Sequence, residues 1–225
     1  MAWYDEAIFY HIYPLGMTGA PKKNEYQQPV ERLNKLLPWI SHIKSIGCNA
    51  IYIGPLFESV GHGYETTDYK KLDSRLGTNE TLKNFVAECH NQNIRVIFDG
   101  VFNHTGRDFF AFQDIKQHRE NSRYRDWYCN VNFWGNNEYN DGFSYDNWGG
   151  YNLLAKLNQR SYSCIRIVVF FDNFAKKSFI YHFVCNFTGI FSIFSVIYNY
   201  NVYYTIIKII YKKCKTQEEY THGLV

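Results

Sequence analysis

Short apolar runs and helical stripes of apolar residues follow one another through the first hundred residues. The runs at 8–13, 50–53 and 94–97 are compact and mostly apolar, which predicts buried β-strands. The segments between them carry apolar residues three and four positions apart, which predicts helices that pack one face on a sheet. The two stripes are Leu33, Leu36, Leu37, Ile40, Ile43 and Ile46 in the first helix, and Leu82, Phe85, Val86 and Cys89 in the second.

Residues that begin and end helices support this assignment. Gly47 ends the first helix. Thr78 caps the start of the second, Glu80 suits its first turn, and Asn93 ends it. Strands separated by helices at intervals of about forty residues predict parallel strands with right-handed crossovers. The fold class is therefore α/β, either the first three strands of a (β/α)8 TIM barrel or one side of an open sheet.

The stretch from Thr105 to Asn158 has no clear period and is rich in Asn, Asp, Tyr and Trp. A stretch of that length without periodicity is usually functional or disordered. Its aromatic residues argue against disorder, because disordered segments are poor in them. They include Phe109, Phe110, Trp127, Trp134 and Trp148.

The composition changes abruptly near Arg160. All five prolines lie before residue 56, and residues 178–207 contain no Asp, Glu, Lys or Arg. Three interpretations of 160–225 remain open. The segment is not evolved protein (A/T-rich DNA read out of frame or through an intron would give this bias), or it is associated with a membrane, or it forms soluble strands. The uncharged stretch exceeds the roughly 20 residues that cross a bilayer, but its Asn, aromatic and β-branched residues make a poor membrane helix.

Charge and cysteine usage narrow the class of protein. The net charge is +3, from 24 basic and 21 acidic residues without a basic stripe, so no nucleic-acid partner is expected. The six cysteines form no Cys-x-x-Cys pair, which suggests neither a zinc site nor a disulfide framework. The N-terminus lacks a secretion signal. A cytoplasmic location is therefore expected, with membrane association through 178–207 as the alternative.

An Asp, an Asn and a His follow the third predicted strand, at 99, 103 and 104. Polar groups at a strand end can simply cap turns, but the carboxyl ends of barrel strands are also where substrates bind. The segment 98–107 closely resembles the first signature region of the α-amylase family, glycoside hydrolase family 13, in which Asp-x-x-x-Asn-His closes the third barrel strand. Four further segments match the family in the right order. They are 7–14, 54–59, 62–69, where Glu65 replaces the usual Asp, and 156–158, in the form of neopullulanase- and cyclomaltodextrinase-like members.

The resemblance implies the fold and the substrate class. Residues 1–104 would form the first three βα units of an incomplete TIM barrel, and 105–159 would be the family's small insertion domain, domain B. Residues 160–225 have no counterpart in the family. The intact relative would be a glycosidase that hydrolyses or transfers α-1,4-linked glucans such as maltooligosaccharides by a retaining mechanism.

The resemblance also implies roles for five residues. Tyr64 would stack against the sugar on the non-reducing side of the scissile bond, His62 would line the same subsite, and His104 would donate a hydrogen bond to that sugar. Asp99 would support the site by bracing an arginine beside the nucleophile. Asn103 would offer its side-chain oxygen to a calcium ion, the only cofactor expected.

The catalytic residues of the family have no counterpart in the sequence. The family uses an Asp after the fourth strand, preceded two residues earlier by Arg, a Glu after the fifth and an Asp after the seventh. Asp172 ends a strand-like run, but Phe170 stands where Arg is required. The chain is therefore expected to be inactive. Two alternatives are a non-catalytic, membrane-tethered amylase-like binding protein and an unrelated α/β binding domain.

Overall fold

The computed structural model describes residues 6–161, 183–187 and 190–194. The strands are β1 (Phe9–Ile12), β2 (Ala50–Ile53), β3 (Phe57–Ser59), β4 (Thr66–Leu72), β5 (Arg95–Gly100), β6 (His104–Gly106), β7 (Asn147–Trp148), β8 (Tyr151–Lys156), β9 (Phe183–Phe187) and β10 (Ile190–Phe194). The α-helices are α1 (Pro14–Met17), α2 (Leu37–Ser45), α3 (Asn79–Asn91) and α4 (Phe110–His118). Segments of 3-10 helix cover Arg32–Leu36, Arg119–Asn121 and Arg125–Trp127.

The central sheet has the parallel strands that the sequence predicts. β1 pairs with β2, and β2 pairs with β5, both in parallel register. The helical segments that connect them lie between successive strands in the chain, as in a βαβ unit. Residues of β2 and β5 form the core with the buried faces of α2 and α3. This arrangement is the one expected both for the start of a (β/α)8 barrel and for one side of an open sheet.

The sheet contains one more parallel strand than the three predicted. β9 pairs in parallel with β5, and β10 returns antiparallel to β9. Their sequences are rich in aromatic and β-branched residues, which favour strands. Asp172 and the rest of the tail, including most of 178–207, lie outside the described residues. Within the described ranges, no helix is long and apolar enough to span a bilayer.

The first predicted helix differs from the observed one. A 3-10 helix covers Arg32–Leu36, and the α-helix begins at Leu37, with Pro38 in its first turn. Proline lacks the N–H that a continuous α-helix needs and is tolerated only in the first turn, so the helix begins again there. Ile46 was predicted on the buried face but is 52% exposed, because the helix has already ended at Ser45.

The second predicted helix is confirmed. The Thr78 side chain accepts a hydrogen bond from the Thr81 backbone, and the Thr81 hydroxyl accepts one from the Thr78 backbone, which completes a capping box. The predicted stripe from Leu82 to Cys89 is buried. Asn93 has a φ of 59°, the left-handed conformation expected just past the end of a helix.

The segment from 105 to 158 is folded. β6 and β7 pair antiparallel with the two edges of β8, and buried residues of α4 and β8 belong to the same core cluster. An aromatic cluster forms its core, in which Phe112 contacts Tyr128, Phe143 and Tyr145. The prediction of order from aromatic content is therefore confirmed. The pairing of β6 with β8 brings the chain back to the end of β5, where Asp99, Asn103 and His104 lie.

Candidate functional site

A cavity of about 360 Å³ lies at the carboxyl end of β5. Three parts of the chain line it: the loop between β3 and β4, the segment that follows β5, and the hairpin between β7 and β8. The lining residues are His62, Tyr64, Asp99, Val101, Asn103, His104, Trp148, Gly149, Tyr151 and Leu154. All five residues selected from the sequence are among them. The structure therefore brings these five side chains together, although His62 and His104 lie 42 positions apart in the chain.

Asp99 is buried and receives hydrogen bonds from the hydroxyls of Tyr52 and Tyr64. Burial raises the pKa of its carboxyl, and the two tyrosine hydroxyls and nearby His11 oppose that shift. The His11 ring stacks on Tyr52, with ring centroids 4.8 Å apart. In the described part of the chain, the side-chain hydrogen bonds of Asp99 thus go to tyrosine hydroxyls. The predicted arginine partner is not among the residues that shift its pKa.

The loop that carries His62 and Tyr64 is held by the buried carboxylate of Glu65. Its oxygens accept hydrogen bonds from the backbone N–H groups of His62 and Gly63, at 3.2 and 3.0 Å. Its Oε2 also lies 3.2 Å from His62 Nδ1. The Tyr64 ring is left 39% exposed toward the cavity. Burial, with Asp99 as the next cause, raises the pKa of Tyr64 to about 12, so its hydroxyl stays protonated and can donate to Asp99.

His104 connects this loop to the end of β5. Its Nε2 lies 3.0 Å from the backbone oxygen of Tyr64, and its Nδ1 lies 3.3 Å from Nδ2 of Asn103. Burial lowers the pKa of His104 to about 4, so the imidazole is neutral near pH 7. The Trp148 ring lies nearly parallel to it, at an angle of 23° and a centroid distance of 6.2 Å. A neutral imidazole, a tyrosine ring and a tryptophan ring suit an uncharged ligand with both apolar faces and hydroxyl groups.

Comparison with known proteins identifies the family. The family model described as the alpha amylase catalytic domain matches residues 33–156, more than half of the chain. The chain belongs to the α-amylase family. The matched segment contains all five residues that the resemblance selected, and it ends at Lys156, where β8 ends.

Relatives in the α-amylase family include the enzymes whose motif style the sequence resembles. The cyclomaltodextrinase of Thermoanaerobacter pseudethanolicus is 36% identical over 146 residues, which are 59% of this chain and 25% of the relative. Neopullulanase 2 of Thermoactinomyces vulgaris is 32% identical over 142 residues, which are 56% of this chain and 24% of the relative. The chain spans about a quarter of the length of these curated relatives.

Among solved structures, the chain is similar to the cyclic alpha-maltosyl-(1→6)-maltose hydrolase of Arthrobacter globiformis in its ligand-free form. The TM-score is 0.69 at 25% identity, with 82% of this chain and 45% of the other covered. This likeness agrees with a partial α-amylase-family barrel in the described part of the chain.

Asn103 does not lie in a recognisable calcium site. Its backbone oxygen accepts a hydrogen bond from Leu157, and its side chain faces His104. Calcium binds six to eight oxygens, usually with several carboxylates. Across residues 6–161, no group of three or more His, Cys, Asp or Glu side chains is placed to hold a metal ion. The described residues therefore do not fit a calcium ion, and no step proposed below uses one.

Two aromatic contributions to the site were missed at the sequence level. Trp148 and Tyr151 line the cavity, although the sequence indicated only that the insertion is rich in aromatic residues. Tyr52 and His11 lie in β2 and β1 at matching register positions and form the environment of Asp99. In the sequence, only their position near the ends of two apolar strand runs indicated that Tyr52 and His11 could reach the site.

The buried neutral state of His104 predicts a loss of stability in mild acid. The pKa of His104 is about 4 in the folded protein and 6.5 in the unfolded chain, so only the unfolded chain binds the proton between these values. Stability therefore falls as pH falls from about 6.5 to 4, and the share due to His104 at pH 5 is about 2 kcal/mol. Free energies of unfolding at pH 7 and pH 5, from urea titration, measure this loss.

The matched variant is His104→Gln, which keeps a polar side chain of similar reach but does not titrate. We expect its stability to fall less than that of the wild type between pH 7 and pH 5, by about 2 kcal/mol. Burial also lowers the pKa of His90, but both proteins share that contribution. An equal loss in wild type and variant would show that His104 is not held neutral by the fold.

Proposed function

We propose that the chain binds a glucose unit of an α-1,4-glucan in this cavity, as the sugar-binding part of an α-amylase-type glycosidase. The observation that carries the proposal is that Tyr64 and His104 share one cavity and are joined at 3.0 Å through the Tyr64 backbone oxygen. The names of the relatives, cyclomaltodextrinase and neopullulanase among them, support an α-glucan as the substrate class.

Each side chain of the cavity has its own role in the proposed binding of a pyranose. The exposed ring of Tyr64 offers an apolar face to the C–H face of the sugar. His62 and His104 line the cavity beside the sugar, and neutral His104 does so without the cost of burying a charge. Asp99 holds the Tyr64 hydroxyl and so fixes the orientation of the ring. The cavity volume lies at the lower end of the range for small-ligand pockets, which suits one or two sugar rings.

Bond cleavage needs groups that the described cavity does not supply. Retaining glycoside hydrolysis uses two carboxyl groups roughly 5 Å apart, one as nucleophile and one as acid and base. Asp99 is the single carboxylate in the described cavity lining, and it accepts hydrogen bonds from two tyrosines. The proposed role of these residues is therefore to bind and orient the sugar. Hydrogen bonds from such residues to sugar hydroxyls can strengthen in the transition state.

Tyr64→Ala is expected to weaken binding of maltotriose to the 225-residue chain roughly tenfold, because it removes the aromatic face in the cavity. Ligand-observed NMR titration measures the dissociation constant and is suited to weak sugar binding. Tyr64→Phe keeps the ring and loses only the hydroxyl that bonds Asp99, so we expect a smaller effect.

Trp134→Ala is the control for loss of an aromatic side chain. Trp134 is 98% exposed and does not line the cavity, so its removal should leave the dissociation constant unchanged. If the wild-type chain does not bind maltotriose, or if Tyr64→Ala and Trp134→Ala behave alike, the proposed site is wrong.

A further inference from the structure

Glu65 is packed against both the loop that carries His62 and the strand β6 that begins with His104. It stands where the family pattern usually has the shorter Asp, and it is 2% exposed. A Cβ atom at Gly61 would lie 2.8 Å from its Oε1, and a Cβ atom at Gly106 would lie 2.5 Å from its backbone oxygen. Glycine at both positions therefore leaves room for Glu65, and close packing on two sides holds its carboxylate in one place.

The carboxylate of Glu65 depends on hydrogen-bond donors rather than on a lysine or an arginine. Within the described part of the chain, no lysine or arginine side chain lies within ion-pair distance of it. Two of its contacts are the backbone N–H groups of His62 and Gly63. The third is His62 Nδ1, which lies 3.2 Å from Oε2. Because a buried charge is costly unless donors surround it, Glu65 favours a hydrogen atom on His62 Nδ1.

A second group competes for the same ring nitrogen. The backbone nitrogen of Tyr64 lies 3.3 Å from His62 Nδ1 and can donate to it if Nδ1 carries a lone pair. That lone pair would also face the Glu65 oxygen at 3.2 Å, where two acceptors repel each other. A hydrogen bond to a charged acceptor is also stronger than one between neutral groups. Nδ1 therefore carries the hydrogen atom, and the lone pair of the neutral imidazole is on Nε2.

We propose that Glu65 is a positioning residue, which fixes His62 in the Nδ1–H tautomer so that Nε2 accepts a hydrogen bond from a hydroxyl group of the sugar. This inference rests on the proposed function. The main chain at His62 is held as well, because the Tyr13 hydroxyl donates to the His62 backbone oxygen at 2.9 Å. The His62 side chain is 55% exposed and lines the cavity, so a ligand can reach it. A ligand group that cannot donate a hydrogen bond is selected against at this position.

Nitrogen NMR of the isotope-labelled chain, without a ligand, tests the tautomer. Spectra are recorded at about pH 8.5, where a histidine is ordinarily neutral, and His62→Ala assigns the signals. A histidine side chain in water prefers the Nε2–H tautomer. We expect the wild type to show Nδ1–H at His62, and Glu65→Gln, whose amide can donate to Nδ1, to show Nε2–H.

Glu80→Gln is the matched control for the tautomer. Glu80 is an exposed carboxylate in the first turn of α3, and its replacement should leave the His62 spectrum unchanged. The Nε2–H form in the wild type would contradict the proposal, even if Glu65→Gln fails to fold. The Nδ1–H form retained in a folded Glu65→Gln would contradict it as well. Unfolding curves of both variants check that the fold is retained.

A double-mutant cycle with maltotriose, measured by ligand-observed NMR titration, tests the effect on binding. We expect Glu65→Gln to raise the dissociation constant roughly three- to tenfold, the range of one lost hydrogen bond. In a His62→Ala background the same substitution should change it by less than about twofold, because Glu65 acts through His62. An equal loss in both backgrounds would show that Glu65 only supports the loop, and the proposal would be wrong.

The outcomes separate this inference from the proposed function. If the wild type does not bind maltotriose, the proposed function fails, and the contact between His62 and the sugar fails with it. The spectra without a ligand still decide whether Glu65 fixes the tautomer of His62. If the wild type binds maltotriose but shows the Nε2–H form, the proposed function stands and only the role of Glu65 is wrong. The Nδ1–H form together with a loss of binding that depends on His62 supports both.

Discussion

The 225-residue chain is expected to release no reducing ends from a maltooligosaccharide or a cyclomaltodextrin. A retaining glycosidase needs paired carboxyl groups, and the described cavity lining contains a single carboxyl group, that of Asp99. β9, which takes the position next to β5, contains no Asp, Glu or Arg, and neither does β10. After residue 159 the one Asp at the end of a strand-like run is Asp172, and Phe170 stands where the family pattern has Arg, so we expect no nucleophile there. The missing rate enhancement is on the order of 10⁶-fold or more, so the effect is a complete loss in practice.

A reducing-sugar assay on the purified chain, run beside the binding titration, distinguishes an inactive protein from an unfolded one. We expect maltotriose to bind and not to be cleaved. Asp99→Asn tests whether any residual hydrolysis belongs to the chain, since a contaminating amylase would be unaffected by the substitution. Hydrolysis that is present in the wild type and lost in Asp99→Asn would contradict the prediction.

The parallel core could be predicted because its signals are local. β2 is a run of four apolar residues bounded by Asn49 and Gly54, and it is observed at the predicted positions. The capping box at Thr78 and the left-handed Asn93 are likewise set by neighbouring residues. The first helix was predicted less well. The helical spacing of apolar residues continues through Pro38, but Pro38 has no N–H, so the α-helical hydrogen bonds cannot continue through it.

The residues of the site likewise fall into those that a local motif indicates and those that long-range strand pairing brings in. Asp99 lies near the end of β5, and Asn103 and His104 come within the next five residues, so a single motif indicated them together. Trp148 and Tyr151 reach the cavity through pairing of β8 with β6, where Lys156 lies opposite His104. A contact set by long-range pairing leaves no local pattern in a single sequence. The same reason explains why the pairing of β9 with β5 was not predicted.

Gly54→Ala is expected to destabilise the chain by about 3 kcal/mol, because a Cβ atom at this position has no room. It would overlap the Cβ of Asp99 and lie 3.2 Å from the Asp99 Cα. These atoms belong to or adjoin the backbone of β5, so no flexible side-chain end can move aside. β2 and β5 are held in register at Ile53 and Phe98, one residue before the clash. Relief therefore requires the two central strands to separate where Asp99 supports Tyr64.

The free energies of unfolding of Gly54→Ala and Gly47→Ala, each measured by urea titration and compared with the wild type, give this steric cost. Gly47 has a φ of 87° and open space around its missing Cβ, so alanine there costs only the left-handed backbone, about 1 kcal/mol. Gly54 is not among the residues with positive φ, so its cost comes from the neighbouring atoms. In an Asp99→Gly background the overlapping Cβ is gone, and Gly54→Ala should cost about 2 kcal/mol less. If the penalty is the same in both backgrounds, Gly54 and Asp99 do not limit the approach of β2 to β5.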